Sequence, residues 1–493
     1  MDHGEYLQQI DEVIAKGHYK ADWASLSGHK TPDWYYKAKF GIFIHWGLYS
    51  VPAYSNEWYS REMYDPTHKE YRYHREHFGD QKDFGYKDFI PMFKGEQFDA
   101  KKWADLFKAS GAKYVMPVCE HHDGFAMYDT AYNRWNAKNM GPRRNVVGEL
   151  KEACEENGLV FCASTHRAEH FFFMNTGRLA ESDVEDEAYR DFYGPAYLCE
   201  ELSGDNIFES TQNTFTQAVP TKEWLEDWLV RTCELIDRYR PKILYFDWWI
   251  HIAAFKPYLK KLGAYYYNRA SEWGEEVTIN FKHEAFVQGA ATYDVERGAL
   301  TGISPFPWQT DTAVGKHSWG YTKDNEFKPS RQLICDLVDI VSKNGMLLLN
   351  IGPKPDGTIT DEETLVLEEI GQWMRDNGEG IYETVPWRQF GEGDVNNKEG
   401  AFMDNDEKLF TSSDYRFTYK NGFLYAFCMR PDSADFIIRS LRIKGEHDFL
   451  TGSVEALGDH IVTASERDEQ GLRIKLDKKP KSDKPVCFKI EIS

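Results

Sequence analysis

The chain has 493 residues, too many for one ordinary domain and enough for a barrel of roughly 250–400 residues with a smaller domain beside it. Its 80 acidic residues against 59 basic ones leave a net charge of −21, which argues against nucleic acid and against an anionic membrane surface, because both call for clustered Lys and Arg. The apolar fraction of 41% suffices for large cores, and the aromatic fraction of 15% is compatible with sugar binding, where the C–H face of a pyranose packs on a ring.

Eight cysteines are scattered from Cys119 to Cys487 without a CxxC pair, and several sit in apolar runs, which predicts buried free thiols. The start, Met1-Asp2-His3-Gly4-Glu5, has neither the basic nor the apolar region of a secretory signal. The chain as given therefore reads as cytoplasmic, and a secreted chain with its signal removed would read the same. No apolar run reaches the roughly 20 residues of a membrane span.

Residues 1–32 read as a polar helical lead-in. The apolar run Phe40–Ile44 follows and ends at His45-Trp46. A helix over Ala100–Ser110 leads to the run Tyr114–Cys119, which ends at Glu120-His121-His122. A helix over Val146–Asn157 precedes Leu159–Ala163, which ends at Thr165-His166-Arg167. The stretch 168–220 lacks periodicity, carries the acidic run Glu181–Glu187, and is expected to build an active-site rim. The next predicted helix, Thr221–Arg238, has Thr221 as N-cap and Glu223 in its first turn. The run Ile243–Phe246 then ends at Asp247. A helix over Ala253–Trp273, a strand over Val277–Phe281 and the run Ala291–Tyr293 come next, the last ending at Asp294-Val295-Glu296-Arg297. A strand near Trp308–Thr312 is crowded at its start by Pro305 and Pro307. The series closes with a helix over Ser330–Lys343, a strand over Met346–Ile351, a turn-rich exit from Gly352 to Gly357, and a helix over Glu362–Asn377 with Asp361 as N-cap.

Runs that are apolar throughout read as strands buried on both faces, as in a parallel sheet. Polar clusters at the same end of several such strands predict an α/β fold, a (β/α)8 TIM-like barrel over 1–384, with its site at the strand C-termini. After about Val385 helical periodicity stops. Short alternating strands over Phe423–Met429, Phe436–Ile443, His460–Ala464, Leu472–Leu476 and Val486–Ile492 predict an all-β sandwich over 385–493.

Asp247 is the leading candidate for chemistry: a carboxylate at the end of a buried strand, followed by Trp248-Trp249, carries a desolvation cost that needs a reason. Glycosidic cleavage needs a second carboxyl group. Glu57, Glu120, Glu169, Asp294, Glu296 and Asp311 are candidates, with an ion pair to Arg297 as the ordinary alternative for Glu296. His45, His121, His122 and His166 could be metal ligands. The first strand offers one His rather than a His-x-His pair, and adjacent His121 and His122 would point to opposite sides of a continuing strand unless a bulge realigned them. Neutral imidazoles bonded to sugar hydroxyls explain the same cluster. No metal or other cofactor is expected.

These residues bear a family resemblance. The chain resembles the α-L-fucosidases of glycoside hydrolase family 29 over most of 33–385. The resemblance rests on Trp34-Tyr35, Lys39-Phe40-Gly41-Ile42-Phe43-Ile44-His45-Trp46-Gly47, Asn56-Glu57-Trp58-Tyr59, Glu120-His121-His122-Asp123-Gly124-Phe125, Tyr245-Phe246-Asp247, Ser318-Trp319-Gly320-Tyr321 and the run Asn344–Pro353. It implies a retaining exo-glycosidase that removes terminal α-L-fucose from a fucosylated glycan through a covalent intermediate. It places the nucleophile at Asp247 and puts His45, Glu57, Trp58, His121, His122 and Trp319 around the sugar. Many members carry a Trp-Glu pair where this chain has Trp308-Gln309, and a Gln cannot donate the proton. The resemblance then favours Glu296 as acid/base, with Asp294 and Asp311 behind it. Fucose carries a methyl in place of its 6-hydroxyl, for which Phe43 or Trp319 would be a suitable wall. Linkage preference and oligomeric state are not legible.

Overall fold

The structure, a computed structural model, describes residues 2–198, 219–396, 399–404, 408–445 and 449–493. Eight parallel strand positions close on themselves. They are β1 (Phe40–Ile44), β2 (Tyr114–Glu120), β3 with β4 (Val160–Phe161 and Ala163–Thr165, one position interrupted at Cys162), β5 (Ile243–Phe246), β6 (Thr278–Phe281), β7 (Thr292–Glu296), β8 (Trp308–Ala313) and β9 (Gly345–Ile351). Closure comes from β1, which pairs in parallel with both β2 and β9. This is the expected barrel, and nearly every strand residue is buried, as runs apolar on both faces require.

The six predicted helices are present at Ala100–Ala109, Val146–Glu156, Lys222–Tyr239, Lys256–Trp273, Ser330–Ser342 and Asp361–Asn377. Thr221 caps its helix by accepting from Trp224 N, as predicted. The last helix differs: Thr360, not Asp361, is the N-cap, and its hydroxyl accepts from Glu363 N. The connections after β6 and β7 contain no helix. The N-terminal lead-in lies against that side, with Thr31 Oγ1 3.0 Å from Thr292 Oγ1 and Trp23 edge-on to Phe286.

The barrel interior is divided. Phe43, Tyr114, Met116, Val118, Cys162, Tyr245, Met346 and Leu348 form an apolar inner core. Strands β6–β8 instead turn Asn280, Asp294, Gln309 and Asp311 inward, all buried. Tyr35 links the halves, donating to Gln309 Oε1 at 2.5 Å and accepting from Asn280 Nδ2 at 3.3 Å.

Beyond residue 384 the described residues form strands and no α-helix, as expected. β10 (Val385–Glu392), β11 (Tyr415–Lys420), β12 (Phe423–Cys428), β17 (Val486–Ile492) and β14 (Thr451–Ala456) form one antiparallel sheet in the order β10-β11-β12-β17-β14. β13 (Asp435–Ile438), β16 (Leu472–Leu476) and β15 (Val462–Arg467) form a second, and the two share a core that includes Phe417, Phe436, Ile474 and Phe488. The predicted Phe436–Ile443 strand stops at Ile438, where a 3-10 turn begins, and the predicted His460–Ala464 strand is shifted to Val462–Arg467. Seven cysteines are buried, and Cys199 lies outside the described residues. Among the described residues no helix is long and apolar enough to cross a membrane.

A buried charge cluster joins the sandwich to the barrel. Asp339, on the Ser330–Ser342 helix, accepts from Arg416 Nε of β11 at 2.5 Å and from Lys343 Nζ at 2.9 Å. Burial opposes the Asp339 charge, but Arg416 and Lys343 hold its carboxyl well below the usual carboxylate range. Its contribution to stability is therefore present at neutral pH and is lost as pH falls below the unfolded value of about 4 and through the depressed one. Asp339→Asn leaves two buried cations underpaired and is expected to cost ~3–5 kcal/mol. Urea unfolding checks this, and a shift below about 1 kcal/mol would contradict it.

Candidate active site

The C-terminal ends of the barrel strands surround a pocket of about 470 Å3. The eight residues that the resemblance placed in the site line it, whereas the candidate carboxylates Glu120, Glu169 and Asp294 do not. Asp247 follows β5 and Glu296 ends β7. His45 follows β1, Glu57 and Trp58 come from the β1–β2 connection, His121 and His122 follow β2, and Trp319 follows β8.

At its centre is a residue the sequence reading missed. Lys282, the first residue after β6, is buried, and its Nζ lies 2.5 Å from Glu296 Oε2, 3.2 Å from Asp247 Oδ1, 3.4 Å from Asp311 Oδ2 and 4.0 Å from Asp294 Oδ1. A signal was available, since Lys282 ends the predicted strand Val277–Phe281 just as Asp247 ends Ile243–Phe246. The Asp247 and Glu296 oxygens that share this ammonium cannot be further apart than the two distances combined, 5.7 Å.

The electrostatics separate the two carboxyl groups. Burial alone would raise Asp247, but Lys282 at 3.2 Å and His166 Nδ1 at 3.4 Å from its carboxylate hold it well below the usual range, so it is ionised. Burial pushes Glu296 up to about 7; Lys282 opposes this, while the Asp247 and Asp311 charges add to it. Trp248 Nε1 also donates to Glu296. The expected alternative pairing with Arg297 does not occur, because that guanidinium donates to the Lys316 and Gly315 carbonyls and covers the Trp319 ring at 4.7 Å.

Four of the other candidate carboxylates, Glu57, Glu120, Asp294 and Asp311, have hydrogen-bond or ion-pair partners. Glu120 pairs with Arg231 at 2.7 Å. Glu57 accepts from Trp319 N at 2.9 Å and Ser318 Oγ at 3.0 Å, which fixes the Trp319 wall. Asp311 accepts from Tyr245 OH at 2.7 Å. Asp294 is raised well above the usual range by burial and by Asp311, and it accepts from Gln309 Nε2 at 2.6 Å. Gln309 thus lies under the pocket floor, bonded to Asp294 and Tyr35, and is not in the pocket lining. Glu169 lies behind His122, 3.2 Å from its Nδ1, and burial raises it well above the ordinary value.

His45, His121 and His122 are neutral donors and acceptors. Asn350 Nδ2 donates to Trp319 O at 2.7 Å, so its Oδ1 faces His45 Nδ1 at 2.6 Å and accepts from it, leaving Nε2 as the acceptor nitrogen. Burial holds His45 and His121 well below their ordinary value. His122, lowered by burial to about 3, donates from Nδ1 to His166 O at 2.9 Å. The expected divergence of His121 and His122 does not arise, because β2 ends at Glu120 and both follow in a turn, their rings 4.2 Å apart. Ring nitrogens of His45, His121 and His166 lie within 4.8 Å of one another, as do ligand atoms of His122, His166 and Asp247, so either set could reach one metal ion. Lys282 already supplies a positive charge 3.2 Å from Asp247 in the second set.

A closed parallel barrel whose strand ends hold one ionised carboxylate, one protonatable carboxyl group, neutral imidazoles and aromatic walls defines a glycoside hydrolase of the (β/α)8 class. The chain belongs to the alpha-L-fucosidase family, whose model matches residues 6–379. It is 31% identical to tissue alpha-L-fucosidase of Rattus norvegicus over 384 residues, 76% of this chain and 75% of that one. It is also 31% identical to plasma alpha-L-fucosidase of Homo sapiens, over 74% of this chain and 72% of that one. The structure of Thermotoga maritima alpha-fucosidase in complex with fucose superposes with a TM-score of 0.73 at 28% identity, covering 96% of this chain and 100% of that one.

Lys282 lowers both carboxyl groups, so removing it should raise both. In Lys282→Met, the infrared carboxyl titration of Glu296, assigned by difference against Glu296→Gln in the same background, is expected to move above about 7. An unchanged or lower midpoint would contradict the assignment of Lys282 as the shared counter-ion.

Proposed function

We propose that this chain is a retaining exo-α-L-fucosidase that hydrolyses terminal α-L-fucose from oligosaccharides or glycoconjugates. On this reading residues 1–384 are the catalytic domain and 385–493 a C-terminal domain. The observation that carries it is the Asp247–Lys282–Glu296 arrangement. The two oxygens that share Lys282 lie within 5.7 Å of each other, a closeness that suits the ~5–5.5 Å carboxyl separation of retaining enzymes. The family and the fucose-bound Thermotoga relative support the sugar.

Asp247, kept ionised by Lys282, attacks the anomeric carbon and forms a glycosyl ester. Glu296, protonated in part of the population at neutral pH, gives its proton to the departing oxygen. Ester formation removes the Asp247 charge that had helped to raise Glu296. Lys282 then lowers Glu296 with less opposition, and Glu296 becomes the base that takes a proton from the incoming water. Water attacks the anomeric carbon, the ester breaks, and Asp247 is regenerated. His45, Glu57, His121 and His122 bind hydroxyls, and Trp58 completes the wall beside His122, 5.8 Å away. Phe43 and Trp319, 6.2 Å apart, offer the apolar wall that the fucose methyl needs. The imidazoles bind sugar rather than metal, so no metal or other cofactor takes part.

Asp247→Asn is expected to abolish turnover of p-nitrophenyl α-L-fucoside and leave fucose binding by calorimetry largely intact; residual turnover above about one part in a thousand would sink the nucleophile. Glu296→Gln is expected to cost at least ~100-fold on fucosyl oligosaccharides and far less on the nitrophenyl substrate, whose leaving group needs little protonation. The wild-type kcat/KM should fall as pH rises through about 7, because the free enzyme needs Glu296 protonated. Equal losses on both substrates, or a basic limb that survives in Glu296→Gln, would point to another acid.

A further inference from the structure

One wall of the pocket is not built by the barrel. Phe402, from the segment that joins β10 to β11, lines the pocket beside Trp248. That segment is tied to the end of β7: Phe402 N donates to Glu296 O at 3.0 Å, and Met403 N donates to Arg297 O at 2.7 Å. Asp404 anchors it further by accepting from Lys328 and Thr312.

The anchoring holds an aromatic ring in the open. Phe402 is 56% exposed although it is large and apolar. Its ring lies 6.0 Å from Trp248 at an interplanar angle of 14°, and His283 meets Trp248 edge-on at 4.1 Å. Phe402 has φ +58° and His283 φ +50°, left-handed conformations that cost side-chain-bearing residues ~1–3 kcal/mol each and that cluster at ligand-binding sites. Strain that leaves an aromatic side chain exposed needs a compensating role, and burial of Phe402 within this chain does not provide it.

The position of the pair indicates that role. Trp248 Nε1 donates to Glu296, the group that protonates the departing oxygen. Trp248 and Phe402 line the pocket next to Glu296, where the group carried by that oxygen departs. We propose that Phe402 and Trp248 form a subsite for the leaving-group sugar, taking the apolar C–H face of the hexopyranose that bears the fucose. This rests on the fucosidase reading above and adds the class of aglycone.

The test compares two substrates with the same fucose: a fucosyl oligosaccharide with a hexopyranose leaving group, and α-L-fucosyl fluoride, whose leaving group has no ring. Phe402→Ala is expected to lower the ratio of their kcat/KM values, oligosaccharide over fluoride, by about tenfold, the size of one lost ring contact. Phe402→Trp should restore the ratio. An unchanged ratio in Phe402→Ala, whether both rates fall together or neither falls, would overturn the subsite while leaving the fucosidase reading intact. Failure of the wild type to turn over either substrate would overturn that reading and the subsite with it.

Discussion

The Lys282 ammonium is the constraint on which the site depends. Four carboxyl groups, Asp247, Asp294, Glu296 and Asp311, lie within 4.0 Å of it in the mouth of a barrel that excludes most solvent. Four buried acids cannot all ionise together, and one cation compensates only part of their charge. The structure distributes the rest. Asp247 takes the negative charge, burial and Asp311 raise Asp294, and Glu296 stays near neutrality. The polar lining of β6–β8 serves the same end, since Gln309, Tyr35 and Tyr245 satisfy oxygens that would otherwise face an apolar core.

The rest of the pocket follows from keeping additional charge out. Burial keeps His45, His121 and His122 uncharged, so they do not compete with Lys282 for Asp247. Trp319 is fixed from beneath by Asn350 and Glu57 and covered by Arg297. The sandwich contributes through β11, whose Arg416 binds Asp339, and through the segment that presents Phe402.

Much of this was legible in the sequence, for identifiable reasons. Barrel strands buried on both faces are continuous apolar runs, and a strand-end carboxylate such as Asp247 stands out against them. Lys282 stands at a strand end as Asp247 does, but in sequence a single lysine after an apolar run looks the same as an ordinary solvated one. The significance of Gln309 was readable only in part. Its side chain cannot donate a proton, but its depth below the pocket depends on the barrel's layering. Strands β10 and β14 went unseen because they are half-buried to exposed along nearly their whole length and hold few apolar residues. β11 went unseen for another reason: it is buried on both faces yet carries Arg416 and Thr418, whose partners lie on other elements. Phe402 sits in a polar stretch more than a hundred residues from Asp294, and nothing local marks it as part of the site. The expected rim, 168–220, is described only up to residue 198 and from 219, and its remainder lies outside the described residues.

The most direct measurement is the anomeric form of the first fucose released, followed by proton NMR in the opening minutes of hydrolysis before mutarotation. Double displacement at Asp247 predicts that α-L-fucose appears first and the β-anomer grows in later. Initial release of β-L-fucose would mean a single displacement by water and would contradict Asp247 as nucleophile, together with the shared role assigned to Lys282.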